Sequence, residues 1–569
     1  MGDDVDCSSL HHQPNLTDIC GFVRNTSSCD IDDGFVNYTQ LLYCNLADLP
    51  VWLACIFLFI WWLFLFCGLA VTADDFFCPS LAVISESLRL SHNVAGVTFL
   101  AFGNGAPDIF SAIASISNAK GGDAGLAIGA LFGAGVFVTA VVAGCISIIE
   151  PFKCMERPFL RDVIFYLAAV YWAWYVMWDK KITQMEAVGF IILYAIYVAV
   201  VVVGRFINQK LKHWIPREIP KVVDNNFEES QNDDGSSVIQ QNGTANKFRT
   251  SSPSNVQIEQ FPSGSVRVEE STLLLNHTQK KSYKVVRDFL QDINPIVPNE
   301  WREKRCHGKV YEIFKSPLVL LLKLTVPVVG LKVDDDPGDT QNWNRLLNSV
   351  HIFTGPVFGI LLTGVGVQKI GGVFPVYGIV IIVCAILAAI VYFTSKNNQR
   401  PIYHTGFAYL GFIVAVIWIY SMANEIVNIL QAFGVVLDLS DAILGLTLLA
   451  WGNSIGDLIA DTTMARQGYP RMGISACFGG PLFNLLLGLG IPFTIACLKN
   501  GGTFHLKITL EEMVLAGGLG FSLASSLVIV TFNKFQMSRP YGIYLLCLYI
   551  AFLVLAVLTE VNVIRNFTL

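Results

Sequence analysis

Apolar residues in this chain come in runs of about twenty, the length that crosses the hydrocarbon of a bilayer as a helix. By that criterion about twelve spans are expected. They run from Val51 to Thr72, Leu81 to Ser117, Ala124 to Ile149, Leu160 to Trp178, Met185 to Ile207, Leu346 to Val367, Val373 to Thr394, His404 to Leu430, Val435 to Met464, Met472 to Leu498, Met513 to Phe532 and Tyr541 to Val563. A shorter apolar piece, Pro317 to Val329, carries Lys323 and reads as an interfacial or re-entrant helix. The expected fold class is an all-α polytopic membrane protein.

The stretch from Gln209 to about Lys315 breaks this pattern, being rich in Asn, Ser, Asp, Gln, Lys and Arg. Such a composition buries too little apolar surface to offset ordering entropy, so a largely disordered loop is expected. It holds most of the extramembrane Lys and Arg, which assigns it to the inner side; the loops with Lys153 and Arg157, Lys396 and Arg400, and Lys534 and Arg539 fall on the same side. Both termini then lie opposite. The expected divisions are an outer Cys-rich segment 1–50, a first membrane half 51–208, the inner loop 209–316, an interfacial helix with two additional spans 317–403, and a second half 404–569.

Composition adds an exclusion. Apolar residues make up 53% of the chain and charged ones 14%, and the net charge of -6 is spread over loops. Neither a nucleic-acid-binding stripe nor a soluble catalytic domain is visible, so function is sought inside the spans. Met1-Gly-Asp-Asp-Val-Asp has no basic flank or apolar core, and no signal peptide is read there. Cys7, Cys20, Cys29 and Cys44 precede the first span and are compatible with one or two disulfides, the pairing left open. Sequons begin at Asn15, Asn25 and Asn37, but also at Asn242 and Asn276 in the inner loop, which shows how readily such triplets arise by chance.

Two apolar runs carry the same motif. Gly96, Thr98, Leu100, Ala101, Gly103, Asn104 and Asp108 recur as Gly445, Thr447, Leu449, Ala450, Gly452, Asn453 and Asp457. A second block follows in each half, Ile128 to Gly133 against Ile474 to Gly479, leading to Val138 and Asn484. Repeats of five spans have odd parity, so the second repeat is inverted relative to the first, and equivalent segments of inverted repeats face one another near the midplane. Asp108 and Asp457 are therefore expected to meet.

An aspartate in a membrane span is functional by default, and no Lys or Arg lies deep in a core span to make either one half of a structural ion pair. A hard divalent cation such as calcium takes six to eight oxygens, carboxylates among them. Asp108 and Asp457 supply two charges; Asn104, Asn453 and Ser454 supply neutral oxygens; Asn484 is a further candidate. Gly103, Gly105, Pro107, Gly452 and Gly456 are expected to interrupt their helices and free carbonyls near Thr98 and Thr447. Asp461 is spaced to share a helix face with Asn453 and Asp457, and its counterpart is Ala112, so the site is asymmetric. Against these readings, an intramembrane Asn or Thr is often only an interhelical hydrogen bonder, and Gly and Pro often mark packing or kinks.

Gly103-Asn-Gly-Ala-Pro-Asp108 and Gly452-Asn-Ser-Ile-Gly-Asp457, in halves divided by a large inner loop, resemble the alpha repeats of the calcium/cation antiporter superfamily. The strings Leu90 to Ser111 and Leu446 to Asp457, with Ala465 to Met472, are similar to the mitochondrial sodium/calcium exchangers, its lithium-transporting branch. The resemblance implies two inverted five-helix repeats, no enzymatic activity, and calcium efflux across the mitochondrial inner membrane in exchange for sodium or lithium. The inner loop would face the matrix and both termini the intermembrane space. No cofactor is implied beyond the transported ions and the lipid bilayer.

Departures from the superfamily pattern keep alternatives open. Asn104 and Gly105 replace a hydroxyl pair, Asp108 replaces a longer Glu, and Ala130 and Ala476 stand where side-chain oxygens are usual. Because a desolvated carboxylate can itself carry a proton, proton/calcium exchange is the alternative to sodium coupling. An intramembrane aspartyl protease dyad and a passive channel are more remote readings. In the inner loop, Arg249-Thr-Ser251-Ser252 resembles a basophilic kinase site, with Ser251 and Ser252 as acceptors and a kinase as partner. Glu425, Asp74 and Asp75 are expected at the membrane interface or at cavity mouths.

Overall fold

The computed structural model describes residues 7, 19–26, 29, 35–88, 101–117, 119, 124–214, 287–296, 298–330, 342–363, 369–370, 374–397, 399–466, 468, 470–507 and 509–560. Thr98, Ser251 and Ser252 lie outside them, as does most of the polar loop. The chain separates into two units, one of Met1–Val200 with Pro295–Leu569 and one of Val201–Asn294.

The first unit is almost wholly helical. Two short helices, α1 (Ile19–Asn25) and α2 (Tyr38–Gln40), precede the long α3 (Val51–Ser87). Then come α4 (Ala101–Ser117), α5 (Gly125–Ile149), α6 (Glu156–Trp178) and α7 (Gln184–Trp214), whose last residues belong to the second unit. After the loop follow α8 (Pro298–Glu303), α9 (Cys306–Thr325), α10 (Arg345–Leu362), α11 (Val376–Thr394) and α12 (His404–Leu437). The second motif lies on α13 (Asp441–Leu444), a π-helical turn (Gly445–Leu449) and α14 (Ala450–Arg466). The chain continues as α15 (Pro470–Lys499), α16 (Leu510–Phe532) and α17 (Arg539–Glu560). In the second unit the described residues are the end of α7 and residues 287–294.

Eleven of the described helices are long and apolar enough to span a membrane; α4, which carries the first motif and is described from Ala101, is not counted among them. The first two expected spans divide differently. A π-helical turn at Thr72–Phe77 carries Asp74 and Asp75 without ending the helix, so α3 is continuous to Ser87, and the motif helix is described from Ala101. Polar residues that look like a break in hydropathy are thus absorbed by a wider turn that keeps its backbone hydrogen bonds. The piece expected from Pro317 is the second half of α9, which starts at Cys306 and is not among the spanning helices.

Two small antiparallel ladders bring distant loops together. Phe152–Lys153 pairs with Gln536–Met537, and Lys181–Thr183 pairs with Thr503–His505, so non-equivalent loops of the two halves are stitched at opposite ends of α6. That is the arrangement an antiparallel pair of repeats requires. The two cysteine pairs are Cys7–Cys29 and Cys20–Cys44. The oxidised segment folds onto α12, where Glu425 accepts hydrogen bonds from the Tyr38 hydroxyl at 2.6 Å and the Phe35 amide at 2.7 Å. Glu425 is therefore buried beneath that segment, its charge met by two donors.

Candidate cation site

The motif helices exchange partners across the repeat. First-half α4 packs on second-half α15, and the second-half motif packs on first-half α5. Glycine makes both crossings close. A Cβ on Gly105 would stand 2.0 Å from the Asn484 Oδ1 and 2.8 Å from the Phe483 ring; one on Gly129 would stand 2.3 Å from the Ala442 carbonyl oxygen. Backbones that approach this nearly leave no room for a side chain between them.

The helix breaks expected at the motifs do not occur. α4 runs through Pro107 and α14 runs unbroken through Gly452 and Gly456. Pro107 still lacks an N–H, so the Gly103 carbonyl one turn earlier loses its helical partner without the helix ending. In the second half the irregularity is the π-helical turn just before α14. It includes Thr447, whose hydroxyl bonds back to the Ile443 carbonyl at 2.7 Å. The side chain of Asn104 lies outside the described set.

Asp108 is 8% exposed and accepts a short hydrogen bond from the Asn484 amide. Asn453 of the other motif stands beside the same carboxylate but without hydrogen-bond geometry. Asp457 is half-buried, with Asp461, Asp108 and Asp74 within electrostatic range. Asp461, 5% exposed, accepts a 3.7 Å contact from the Cys477 thiol. None of the ion pairs among the described residues involves Asp108, Asp457 or Asp461. The two motif aspartates thus lie within electrostatic reach of one another.

Around them lie buried polar atoms with no protein partner: both amide atoms of Asn453, the Ser454 hydroxyl, the Asn484 Oδ1 and the Ser111 hydroxyl. Buried polar groups are nearly always satisfied, so a cluster of orphan oxygens beside carboxylates is what a cation or ordered water would complete. Among the described residues no group of three or more His, Cys, Asp and Glu side chains closes into a metal cage. The arrangement is a charged region supplemented by neutral oxygens, not a preformed carboxylate shell.

Ser111 and Asp74 were not among the site residues read from sequence. Ser111 is one turn from Asp108 on the same helix face, and that spacing was a usable signal. Asp74 is solvent-accessible yet recessed, and its reach toward Asp457 depends on how α3 crosses the bundle, which no local pattern encodes. A Cβ on Gly456 would meet nothing within 4 Å, so this glycine, expected to interrupt its helix, sits in a continuous one and faces open space.

Comparisons with known proteins agree on one class. A family model described as sodium/calcium exchanger protein matches residues 58–203 and 407–558, leaving out the polar loop between them. The chain is 42% identical over 572 residues to the human mitochondrial sodium/calcium exchanger protein, covering 99% of this chain and 91% of the relative. The chicken protein of the same name is 41% identical, over 99% and 91%. The crystal structure of an H+/Ca2+ exchanger aligns over 93% of this chain and 92% of its own, with 10% identity and a TM-score of 0.36, too low to carry an argument.

Proposed function

Because the chain belongs to the sodium/calcium exchanger protein family, whose members are transporters and not enzymes, we propose that it exports calcium in exchange for sodium by alternating access. Lithium would substitute for sodium. The protease and passive-channel readings give way to family membership. The relatives' names place them in mitochondria; here the inner membrane is the proposed location, with the polar loop in the matrix and both termini in the intermembrane space.

One observation carries the reading. Carboxylates from both repeats share a neighbourhood in which no described Lys or Arg pairs with them and five side-chain polar atoms go unpartnered. Calcium would be held as cargo by Asp108 and Asp457, with oxygens from Asn453, Ser454, Asn484 and Asn104, and Asp461 tuning affinity from one side. Since the carboxylates do not yet close into a cage, a bound divalent ion would draw α4 and α14 together. That closure is the occluded step of an alternating-access cycle. Two or more sodium ions would bring charge to the same carboxylates without the divalent ion's demand for six to eight oxygens. The neutral oxygens of Asn453, Ser454 and Asn484 suit them.

Proton exchange on the same carboxylates is the second reading, favoured by the methyl groups of Ala130 and Ala476 where sodium ligands would be expected. Phosphorylation of Ser251 or Ser252 would add charge to the loop and regulate from there. Reconstituted protein tests the choice. Calcium leaving sealed liposomes against sodium or lithium, and not against a pH gradient alone, is expected; uphill calcium movement in vesicles free of both ions would transfer the coupling to protons.

A further inference from the structure

Hydroxyls inside these helices mostly bond back to a carbonyl one turn earlier. Thr72 reaches Gly68 at 2.7 Å, Ser80 reaches Phe76 at 2.8 Å, Thr139 reaches Gly135 at 2.7 Å and Ser147 reaches Ala143 at 2.8 Å. This local bond satisfies the hydroxyl in apolar surroundings. Ser522 and Ser526 of α16 do otherwise. They are 1% and 0% exposed, and neither hydroxyl has a protein partner.

Spacings of three and four place Leu519, Ser522 and Ser526 on one buried face of α16, the helix that packs against α5 and α6. Where those helices meet stands another orphan, the fully buried Tyr166 hydroxyl of α6. A methyl position on Gly135 would lie 2.3 Å from that hydroxyl and 3.1 Å from Leu519, which fixes the two as neighbours. At the other end Tyr541 of α17, 3% exposed, sits beside Ser526 without hydrogen-bond geometry. Tyr166 is in electrostatic range of Asp108. Tyr541 is in range of Cys477, the thiol that contacts Asp461. One end of the row is thus within electrostatic reach of Asp108, and the other within reach of the thiol that contacts Asp461.

We propose that Tyr166, Ser522, Ser526 and Tyr541 line a narrow file of internal water behind the carboxylate region, reaching from the Asp108 side to the Asp461 side. Buried hydroxyls without protein partners are satisfied by ordered water when space allows, and an apolar wall would have been filled by Ala and Phe at the same volume. Such water would rehydrate the carboxylates as calcium departs and provide protons a route that bypasses the ion's own path. Its use rests on the proposed role of Asp108 and Asp461 in holding calcium; its existence does not.

Silver ion, small enough to follow water and reactive with thiols, is the probe. Full-length Ser522→Cys, Ser526→Cys and Ala516→Cys proteins are exposed to it, the last on another face of the same helix, then unfolded and alkylated, with protection at each position read by mass spectrometry of its peptide. Protection at 522 and 526 at least about tenfold faster than at the apolar control is expected of a hydrated file. Equal rates at all three positions overturn it. The double variant Ser522→Ala with Ser526→Ala supplies a second reading that needs no thiol. Its thermal midpoint falls if the hydroxyls hold water, whereas a rise or no change shows dry orphans and overturns the file. Calcium flux of the unmodified protein, measured separately, bears only on the exchange reading, so the two fail independently.

Discussion

The motif helices α4 and α14 share a sequence pattern and differ in their surroundings. On α4, Asp108 is buried and hydrogen-bonded by Asn484, and Gly105 is pressed against α15. On α14, Trp451, Ile455, Gly456 and Ile459 are exposed, Asp457 is half-buried, and Gly456 faces open space. One copy of the motif is walled in and the other is open. In an inverted repeat the two copies are interchangeable in principle, so unequal packing of equal sequences is how one conformation of a two-state transporter would look. The asymmetry has a sequence component too, because Asn484 and Asp461 correspond to Val138 and Ala112.

The largest expected effect removes the charge the two copies share. Asp108→Asn and Asp457→Asn should each abolish calcium transport with folding intact. A charge-assisted contact is worth about 1.5–3 kcal/mol, roughly ten- to more than a hundredfold in affinity, and calcium needs both charges. Flux and calcium binding on reconstituted protein decide it. Near-normal flux in either variant would remove that aspartate from the ion path and leave the comparison one of packing alone.

Next comes a test of the packing itself. Gly105→Ala puts a methyl group onto the Asn484 oxygen and the Phe483 ring, and overpacking of this kind costs about 1–3 kcal/mol. Gly456→Ala meets nothing within 4 Å and should be close to neutral for stability. The expected result is a lowered thermal midpoint and at least about tenfold weaker calcium flux for the first variant only, the flux loss following from displacement of Asn484. Equal sensitivity of both glycines would mean that the open side of α14 closes during the cycle.

A smaller effect is expected at the third carboxylate. Asp461 belongs to the second repeat alone, so Asp461→Asn should weaken calcium affinity several-fold without abolishing exchange, an estimate scaled down from the roughly 1.5–3 kcal/mol of a direct charged contact. Calcium-dependence curves for flux would show it. An unchanged curve would reduce Asp461 to a partner of Cys477.

How much of this was legible in the sequence follows from what each residue does locally. The repeat, the pairing of Asp108 with Asp457 and the candidacy of Asn484 depend on residue type and parity, both of which a chain displays openly. The supposed helix breaks did not survive, because Gly105 and Gly452 serve close packing, Pro107 removes one hydrogen bond inside a continuous helix and Gly456 faces open space, and composition alone does not separate those uses. The burial of Glu425 was not legible because its partners, Tyr38 and the Phe35 amide, come from a disulfide-bonded segment nearly 400 residues earlier. The continuity of α3 through Asp74 and Asp75 was hidden by the same two charges that made it look like a gap.

The smallest prediction lies outside both repeats and shows what the comparison does not depend on. Glu312 on α9 accepts the Lys304 ammonium at 2.7 Å and the Lys315 ammonium at 3.1 Å. Burial by itself would raise this carboxyl, but the two lysines outweigh it and hold it below its ordinary value of 4.5. A carboxyl lowered in the folded state contributes stability above its unfolded pKa, and that contribution is lost as pH falls through the folded one. Because both lysine side chains remain partly open to solvent, the pairs should be worth only about 0.5–1 kcal/mol. Glu312→Gln should therefore lower the thermal midpoint by about a degree or two at pH 7, with the gap narrowing in high salt and closing once the pH falls below the lowered pKa of this carboxyl. Calcium flux at saturating calcium should stay at the level of the unmodified protein, since neither α4 nor α14 is touched. A gap that widens toward acid would reverse the sign of the argument, and a loss of flux would tie α9 to the motion of the repeats.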